Sequence, residues 1–389
     1  MLYYLSELSR LFTPLNVFRY VTFRAFLGAG TSFVLSLLLG RWMIGRLRAL
    51  KIGQVVRQER EVESALQHHG RKSGTPTMGG LLIIFATAVS SVLWCHPSNP
   101  QVWLVMATML FMGAVGFADD WLKLSRRKSD GLKEWQKLAL QGLWVVVAFA
   151  AIEAVPGTRA HARELMVPFF KAPVIADLTV PGALVFMFLV LVGTTNAVNL
   201  TDGLDGLAAG CMGSVSAAYL VLAYVAGNVV MANYLQVPSI TGAHELAVFC
   251  GCLLGSGLGF LWWNAYPAKV FMGDTGSLAL GGTIAMVAIL IKQELTLLIV
   301  GLVFVGEAAS VLIQRTACRI HRRRTGEGLP PERRPFRMTP LHHHFEIISK
   351  ERARAEERSP DAAENSVVIR FWIVSIVCAL LGLATLKLR

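Results

Sequence analysis

Apolar positions in this chain fall in long unbroken runs, separated by short polar stretches. Ten runs stand out, at roughly 22–44, 77–95, 102–120, 138–156, 181–198, 207–227, 245–263, 278–293, 295–316 and 367–386. A bilayer core takes about 20 apolar residues per helix, so each run is predicted to be a membrane-spanning helix. The tightest connection is Lys292-Gln293-Glu294, between the eighth and ninth runs. Residues 1–20, with Leu5, Leu8, Leu11 and Phe12, are predicted to form a short interfacial helix. The first run is too long for a cleaved signal peptide, and no small-residue cleavage site follows it. The segment 157–180 is the one sizeable loop on its side and could hold a short hairpin. No internal repeat is visible. The expected fold class is an all-α polytopic membrane protein, one domain over residues 1–389, with ten transmembrane helices.

Composition agrees with the pattern. The chain is 54% hydrophobic and 16% charged, where a soluble domain carries about 25% charged residues. Mean hydropathy is +0.53. The net charge of +12 collects in alternate loops. One holds Arg46, Arg48, Lys51, Arg57, Arg60, Arg71 and Lys72. The next holds Lys123, Arg126, Arg127, Lys128, Lys133 and Lys137. The last holds Arg319, Arg322, Arg323, Arg324, Arg333, Arg334 and Arg337. The positive-inside rule makes this side cytoplasmic and puts both termini outside. Topology thus accounts for the basic balance, and nucleic acid is not implied as a partner. The six cysteines lie mostly within apolar runs. They read as small buried hydrophobes, with no disulfide framework.

The acidic clusters all fall on the predicted cytoplasmic side, in short polar stretches at the ends of apolar runs. Carboxylates drawn to one membrane surface from separate helices are costly to place and point to a site. Asp119-Asp120 closes the third run, and Lys123 lies a helical turn beyond Asp119. Asn199, Asp202 and Asp205 stand in Asn196-Ala-Val-Asn-Leu-Thr-Asp-Gly-Leu-Asp-Gly206, which has no Lys or Arg. Its oxygen donors suit Mg²⁺, a ribose or a base edge, although Asp205 also suits a helix cap. Asp274 sits between Gly273 and Gly276, which permit close backbone approach. It is a candidate metal or phosphate ligand. Asn264 and Phe271 precede it, and Trp262 and Trp263 fit an interfacial aromatic belt.

Pro340-Leu-His342-His343-His344-Phe-Glu346 lacks zinc-site spacing. Contact of one or two histidines with phosphate or sugar, or acid–base work, fits better. Lys72-Ser-Gly-Thr-Pro-Thr77-Met-Gly-Gly80 is no P-loop. It reads as a helix start, with Lys72 placed to favour an anion. Glu307, beside Gly306 in an apolar run, marks either a helix break or a hydrogen bond inside the bundle.

Together, Gly74–Gly80, Asp119-Asp120, Asn196–Gly206, Phe271–Asp274 and Pro340–Glu346 resemble the bacterial phospho-N-acetylmuramoyl-pentapeptide transferases. These belong to the polyprenyl-phosphate N-acetylhexosamine-1-phosphate transferases. The match runs in order from about Arg57 to Glu346. The resemblance implies an enzyme of the bacterial inner membrane with a cytoplasmic-face site, ten helices, external termini and a homodimeric state. It implies transfer of phospho-MurNAc-pentapeptide from UDP-MurNAc-pentapeptide to undecaprenyl phosphate, giving lipid I and UMP, with Mg²⁺ required. Position by position, it implies that Asp119 engages or deprotonates the lipid phosphate, with Asp120 its acidic neighbour, and that Asp274 is the Mg²⁺ ligand. Asn199, Asp202, Asp205, Asn264 and Phe271 would line the uridine side, and Lys72, Lys123 and Lys137 the anionic cleft. Thr77 lies in a matching substrate-side motif. His342 would act catalytically or position substrate, accompanied by His343 and His344. A transferase of N-acetylglucosamine-1-phosphate is the runner-up. A Mg²⁺ or lipid transporter is a remote third, because transporters place ionisable groups near the midplane and often show repeats.

Overall fold

The computed structural model describes residues 1–50, 75–126, 131–356 and 360–388. It is helical, with no sheet among those residues. The order is α1 (Val21–Ala49), α2 (Gly80–Trp94), α3 (Pro100–Arg126), α4 (Glu134–Ala154), the short α5 (Pro156–Arg159), α6 (Thr179–Thr201), α7 (Leu207–Ala226), the short α8 (Val229–Leu235), α9 (His244–Asn264), α10 (Gly273–Leu290), the short α11 (Leu297–Val300), α12 (Leu302–Thr325), α13 (Leu341–Ala355) and α14 (Pro360–Ala384).

Among the described residues, eight helices are long and apolar enough to cross a membrane: α1, α3, α4, α6, α7, α9, α10 and the helix over Ala363–Lys387. The other two predicted runs take different forms. The second run becomes α2, an apolar helix of 15 residues, about 22 Å long at 1.5 Å per residue. The ninth is divided at Gly301 into α11 and α12, and α12 ends in Arg322, Arg323 and Arg324. Of the two readings open for Gly306-Glu307, the hydrogen bond inside the bundle holds, and the break falls five residues earlier, at Gly301. The helix is continuous through that pair, and the Glu307 carboxylate has buried partners that spare it a lipid-facing position. Residues 1–20 form two 3₁₀ helices, Leu2–Arg10 and Thr13–Arg19. The 157–180 loop closes in one antiparallel bridge between Leu165 and Ile175.

The central element is α10. Every residue from Thr275 to Leu290 is buried, as expected of a helix without a polar face. Around it stand α2, α3, α6 and α7. The closest approaches are set by missing side chains. A Cβ on Gly116 of α3 would collide with the backbone of Asp274, and one on Gly80 of α2 with Gly276. These contacts bring the start of α2 and the later turns of α3 onto the first turn of α10. On the far side of the core, α9 presents Gly251, Gly255 and Gly259 to α1; a Cβ on Gly251 would lie 2.7 Å from the Ala25 carbonyl oxygen. The glycine-rich face of 251–259 is thus filled from within the chain. The same pair of helices is tied by Arg24, whose two terminal nitrogens meet the Glu245 carboxylate at 2.7 and 2.6 Å, both groups buried.

Candidate active site

Side chains from α3, α4 and α6 converge on the first turn of α10. The third helix continues to Arg126, so Asp119 and Asp120 lie well within it rather than at its end. Likewise α6 continues to Thr201 and carries Asn199 on its last turn. Lys137 is on the first turn of α4, whose start is braced by a hydrogen bond from the Lys133 N–H to Gln136 Oε1 (3.0 Å).

Two ammonium groups clamp two carboxylates. Lys123 Nζ lies 2.6 Å from Asp119 Oδ2 and 3.0 Å from Asp274 Oδ2. Lys137 Nζ lies 3.0 and 2.9 Å from the same two oxygens. Asn199 Nδ2 donates to Asp274 Oδ1 (2.9 Å) and to Ser277 Oγ (2.8 Å). Asp119 is fully buried, and its Oδ1 accepts from the Leu132 N–H (2.7 Å). Asp120 faces differently. Its Oδ1 accepts from the Asp274 N–H (3.3 Å), and its Oδ2 from the N–H (3.0 Å) and hydroxyl (2.8 Å) of Thr275. It caps α10, supplying the carboxylate that a helix N-terminus favours.

The residues expected on the nucleotide side form a braced pair of loops. Asn264 Oδ1 accepts from the Gly206 N–H (3.1 Å), and its amide donates to the Val270 carbonyl (2.9 Å). Asp205 Oδ2 accepts from the Ala268 N–H (3.0 Å). Both side chains are buried and hold the 202–206 loop against 265–272. Phe271 is partly exposed; its N–H donates to the Pro76 carbonyl (2.8 Å) and its carbonyl accepts from the Gly79 N–H (2.8 Å). Thr77 is buried in that paired segment, against Gly273, which has φ +73°. Asp202 is half-buried beside these carboxylates. Burial, followed by the charges of Asp274, Asp120 and Asp205, pushes its carboxyl up to about 8.

The three histidines divide. His342 is fully buried; its Nδ1 lies 3.1 Å from Glu307 Oε2, and its ring lies against Gly203. His343 Nδ1 meets Glu346 Oε2 at 2.9 Å, and His344 Nδ1 accepts from the Arg337 N–H at 3.2 Å. Lys72 lies outside the described residues. The remaining expected site residues belong to one connected region. Thr275 and Ser277 join it as well, and their only sequence signal was their place just after Asp274.

Asp119, Asp120 and Asp274 each bring one oxygen within 4.8 Å of the others. Hard carboxylate oxygens are the donor type that divalent magnesium takes. Three carboxylates against two lysines also leave one excess negative charge to attract a cation. The residues present therefore suit a divalent metal ion.

Comparison with known proteins agrees with this arrangement. Residues 102–292 match the glycosyl transferase family 4 model, and residues 72–84 match phospho-N-acetylmuramoyl-pentapeptide-transferase signature 1. A phospho-N-acetylmuramoyl-pentapeptide-transferase of Methylacidiphilum infernorum is 46% identical over 389 residues, covering all of both chains. This chain belongs to the phospho-N-acetylmuramoyl-pentapeptide-transferase family. Proteins of the same name from Desulfotalea psychrophila (47% identical, 99% of each chain) and Neisseria gonorrhoeae (43%, all of both chains) match equally from end to end. The stretch 102–292 holds both lysine–carboxylate partners and the braced loops. The His342 segment lies beyond it, in the part covered by the full-length relatives.

Proposed function

We propose that this membrane protein transfers phospho-MurNAc-pentapeptide from UDP-MurNAc-pentapeptide to undecaprenyl phosphate, forming lipid I and releasing UMP, with Mg²⁺ as cofactor. End-to-end identity of 43–47% with transferases of that name carries the reading. The N-acetylglucosamine-1-phosphate alternative has no comparable support, and a transporter does not fit carboxylates gathered at helix ends.

In the reaction, an oxygen of the lipid phosphate bonds to the β-phosphorus of the donor. The bond from that phosphorus to the bridging oxygen breaks, and its electron pair leaves on UMP. Both reactants are anionic, so positioning and charge neutralisation dominate the barrier. Lys123 and Lys137 carry two positive charges to the point where the phosphates meet. Asp274, held by Asn199 and both lysines, is the proposed principal Mg²⁺ ligand, with Asp119 and Asp120 beside it. Bound Mg²⁺ would supply charge neutralisation at the diphosphate oxygens. Asp119 is proposed to orient the lipid phosphate through the shared lysines rather than to attack. The two lysines and a bound cation would already offset the repulsion between the two anions, so the proposed route needs no covalent intermediate. Phe271 would stack on uracil. Asp205 and Asn264 would act on the nucleotide by fixing its loop, Asp202 and Thr77 by facing it, and His342 with its two neighbours by bordering the donor. The ten-span topology, external termini, a cytoplasmic-face site and Lys72 as a further cation complete the proposal.

The homodimer rests on family resemblance, since α9's small-residue face is taken up by α1. Light scattering of the purified protein in detergent tests it. The function is tested by following UMP release from UDP-MurNAc-pentapeptide with undecaprenyl phosphate, with and without Mg²⁺. Release that is indifferent to Mg²⁺, or equal with UDP-N-acetylglucosamine, would overturn the assignment.

A further inference from the structure

Glu307 is a fully buried carboxylate on α12, and among the described residues its ion-pair partner is a histidine rather than a lysine or arginine. Its oxygens accept from the backbone N–H of His342 at 3.1 and 3.2 Å, and Oε2 also meets His342 Nδ1 at 3.1 Å. The backbone contact has a local reason. Helix α13 begins after Pro340, which has no side-chain group to cap the exposed N–H groups. The Nδ1 contact is not needed for capping. It places the imidazole proton on Nδ1, since a carboxylate only accepts. In the neutral ring Nε2 is then a bare acceptor. That nitrogen is buried and has no hydrogen-bond partner among the described residues. A buried acceptor left unmet is costly, so its position calls for a donor from elsewhere.

Gly203 shows where the donor would come from. A Cβ there would strike His342 Nε2, so the ring nitrogen occupies the space that any other residue would fill. Gly203 is itself exposed and adjoins Asp202, placing Nε2 just beneath the surface of the nucleotide-side loop. Burial lowers the His342 imidazole below its ordinary value, opposed by the Glu307 hydrogen bond.

We propose that Glu307 is the positioning residue of His342: it fixes the Nδ1–H tautomer and turns Nε2, past Gly203, toward an O–H or N–H of the bound donor substrate. This rests on the transferase reading of the site. His342 touches substrate; Glu307 acts only through it. Carboxylates that orient metal-bound histidines are worth about 10–100-fold when removed, and a similar loss in kcat/KM is expected for Glu307→Gln.

Two measurements on the full-length detergent-solubilised enzyme separate this from a purely capping role. The first is a double-mutant cycle in the UMP-release assay. Glu307→Gln should cost about 10–100-fold in the wild-type background and almost nothing in His342→Ala. The backbone N–H of residue 342 survives in His342→Ala, so a capping role would cost the same in both backgrounds and overturn the proposal. The second needs no activity: ¹⁵N-histidine NMR at about pH 8, with the His342 signals identified by their loss in His342→Ala. A proton on Nδ1 with bare Nε2, redistributed in Glu307→Gln, is the expected result. An Nε2–H tautomer or an imidazolium would overturn it. If wild-type protein released no UMP from any donor, the transferase reading would fail while the tautomer measurement still judged the Glu307–His342 pair.

Discussion

Asp119 and Asp120 are neighbours with different work. One shares its charge with two lysines; the other spends both oxygens on the first turn of α10. Asp274→Asn is therefore expected to leave the fold intact and lower the rate on the order of 10²–10³-fold, because an amide is a poor Mg²⁺ ligand and a weaker partner for the lysines. Normal turnover of the purified variant at low Mg²⁺ would place the metal elsewhere. Asp120→Ala is expected to lower thermal stability as well as activity, since a lost cap costs about 0.5–2 kcal/mol. A melting curve unchanged from wild type would contradict the capping role.

Glu346 gives a pH prediction. Burial works against its charge, but hydrogen bonds from His343 and Lys350 prevail and hold the carboxyl down to about 2. The folded value lies below the usual 4.5, so its stabilisation is fully present above that pH and is lost as pH falls through the folded value. Glu346→Gln should lower the melting temperature near neutral pH and leave a shallower acid decline than wild type. Parallel curves for the two proteins between about pH 5 and pH 2 would refute this.

At the scale of elements, missing side chains decide which helices touch. Gly255 of α9 lies on the backbone of Ala29 in α1, leaving no room for a Cβ. Gly255→Val should push the two helices apart and cost about 1–3 kcal/mol, the usual range for overpacking. Thermal unfolding in detergent would show it, and a variant as stable as wild type would mean that α1 yields freely. The sequence made the small residues visible but not their partner. A glycine stripe permits close approach by any helix, so the same residues suited a subunit interface equally well. Helix ends were also misplaced. Asp119 and Asp120 read as the last residues of their run and Asn199 as the first residue beyond its own, because polar side chains normally end an apolar run. Here α3 and α6 continue because those side chains find partners on neighbouring elements.

For the whole molecule, the proposed topology places the segments 47–76, 121–137, 199–206, 264–277 and 318–366 on the cytoplasmic side. Single cysteines introduced there should resist an impermeant reagent in intact cells. Labelling of a cysteine introduced near Arg127 or Arg333 would reject the ten-span arrangement.

By itself, the sequence determined that the chain is helical and membrane-embedded, that its carboxylates gather on one side, and which motifs carry chemistry. Hydrophobic run length, loop charge and residue type are local properties, and the bilayer acts on them directly. Only the tertiary structure decided that Lys123 and Lys137 meet both Asp119 and Asp274, that Asp120 is a cap, that Asn264 and Asp205 brace loops, and that Glu307 belongs to His342 rather than to a kink. Each of these joins residues from separate helices at hydrogen-bond distance. Such pairings depend on how the helices pack, and no single stretch of sequence contains that information.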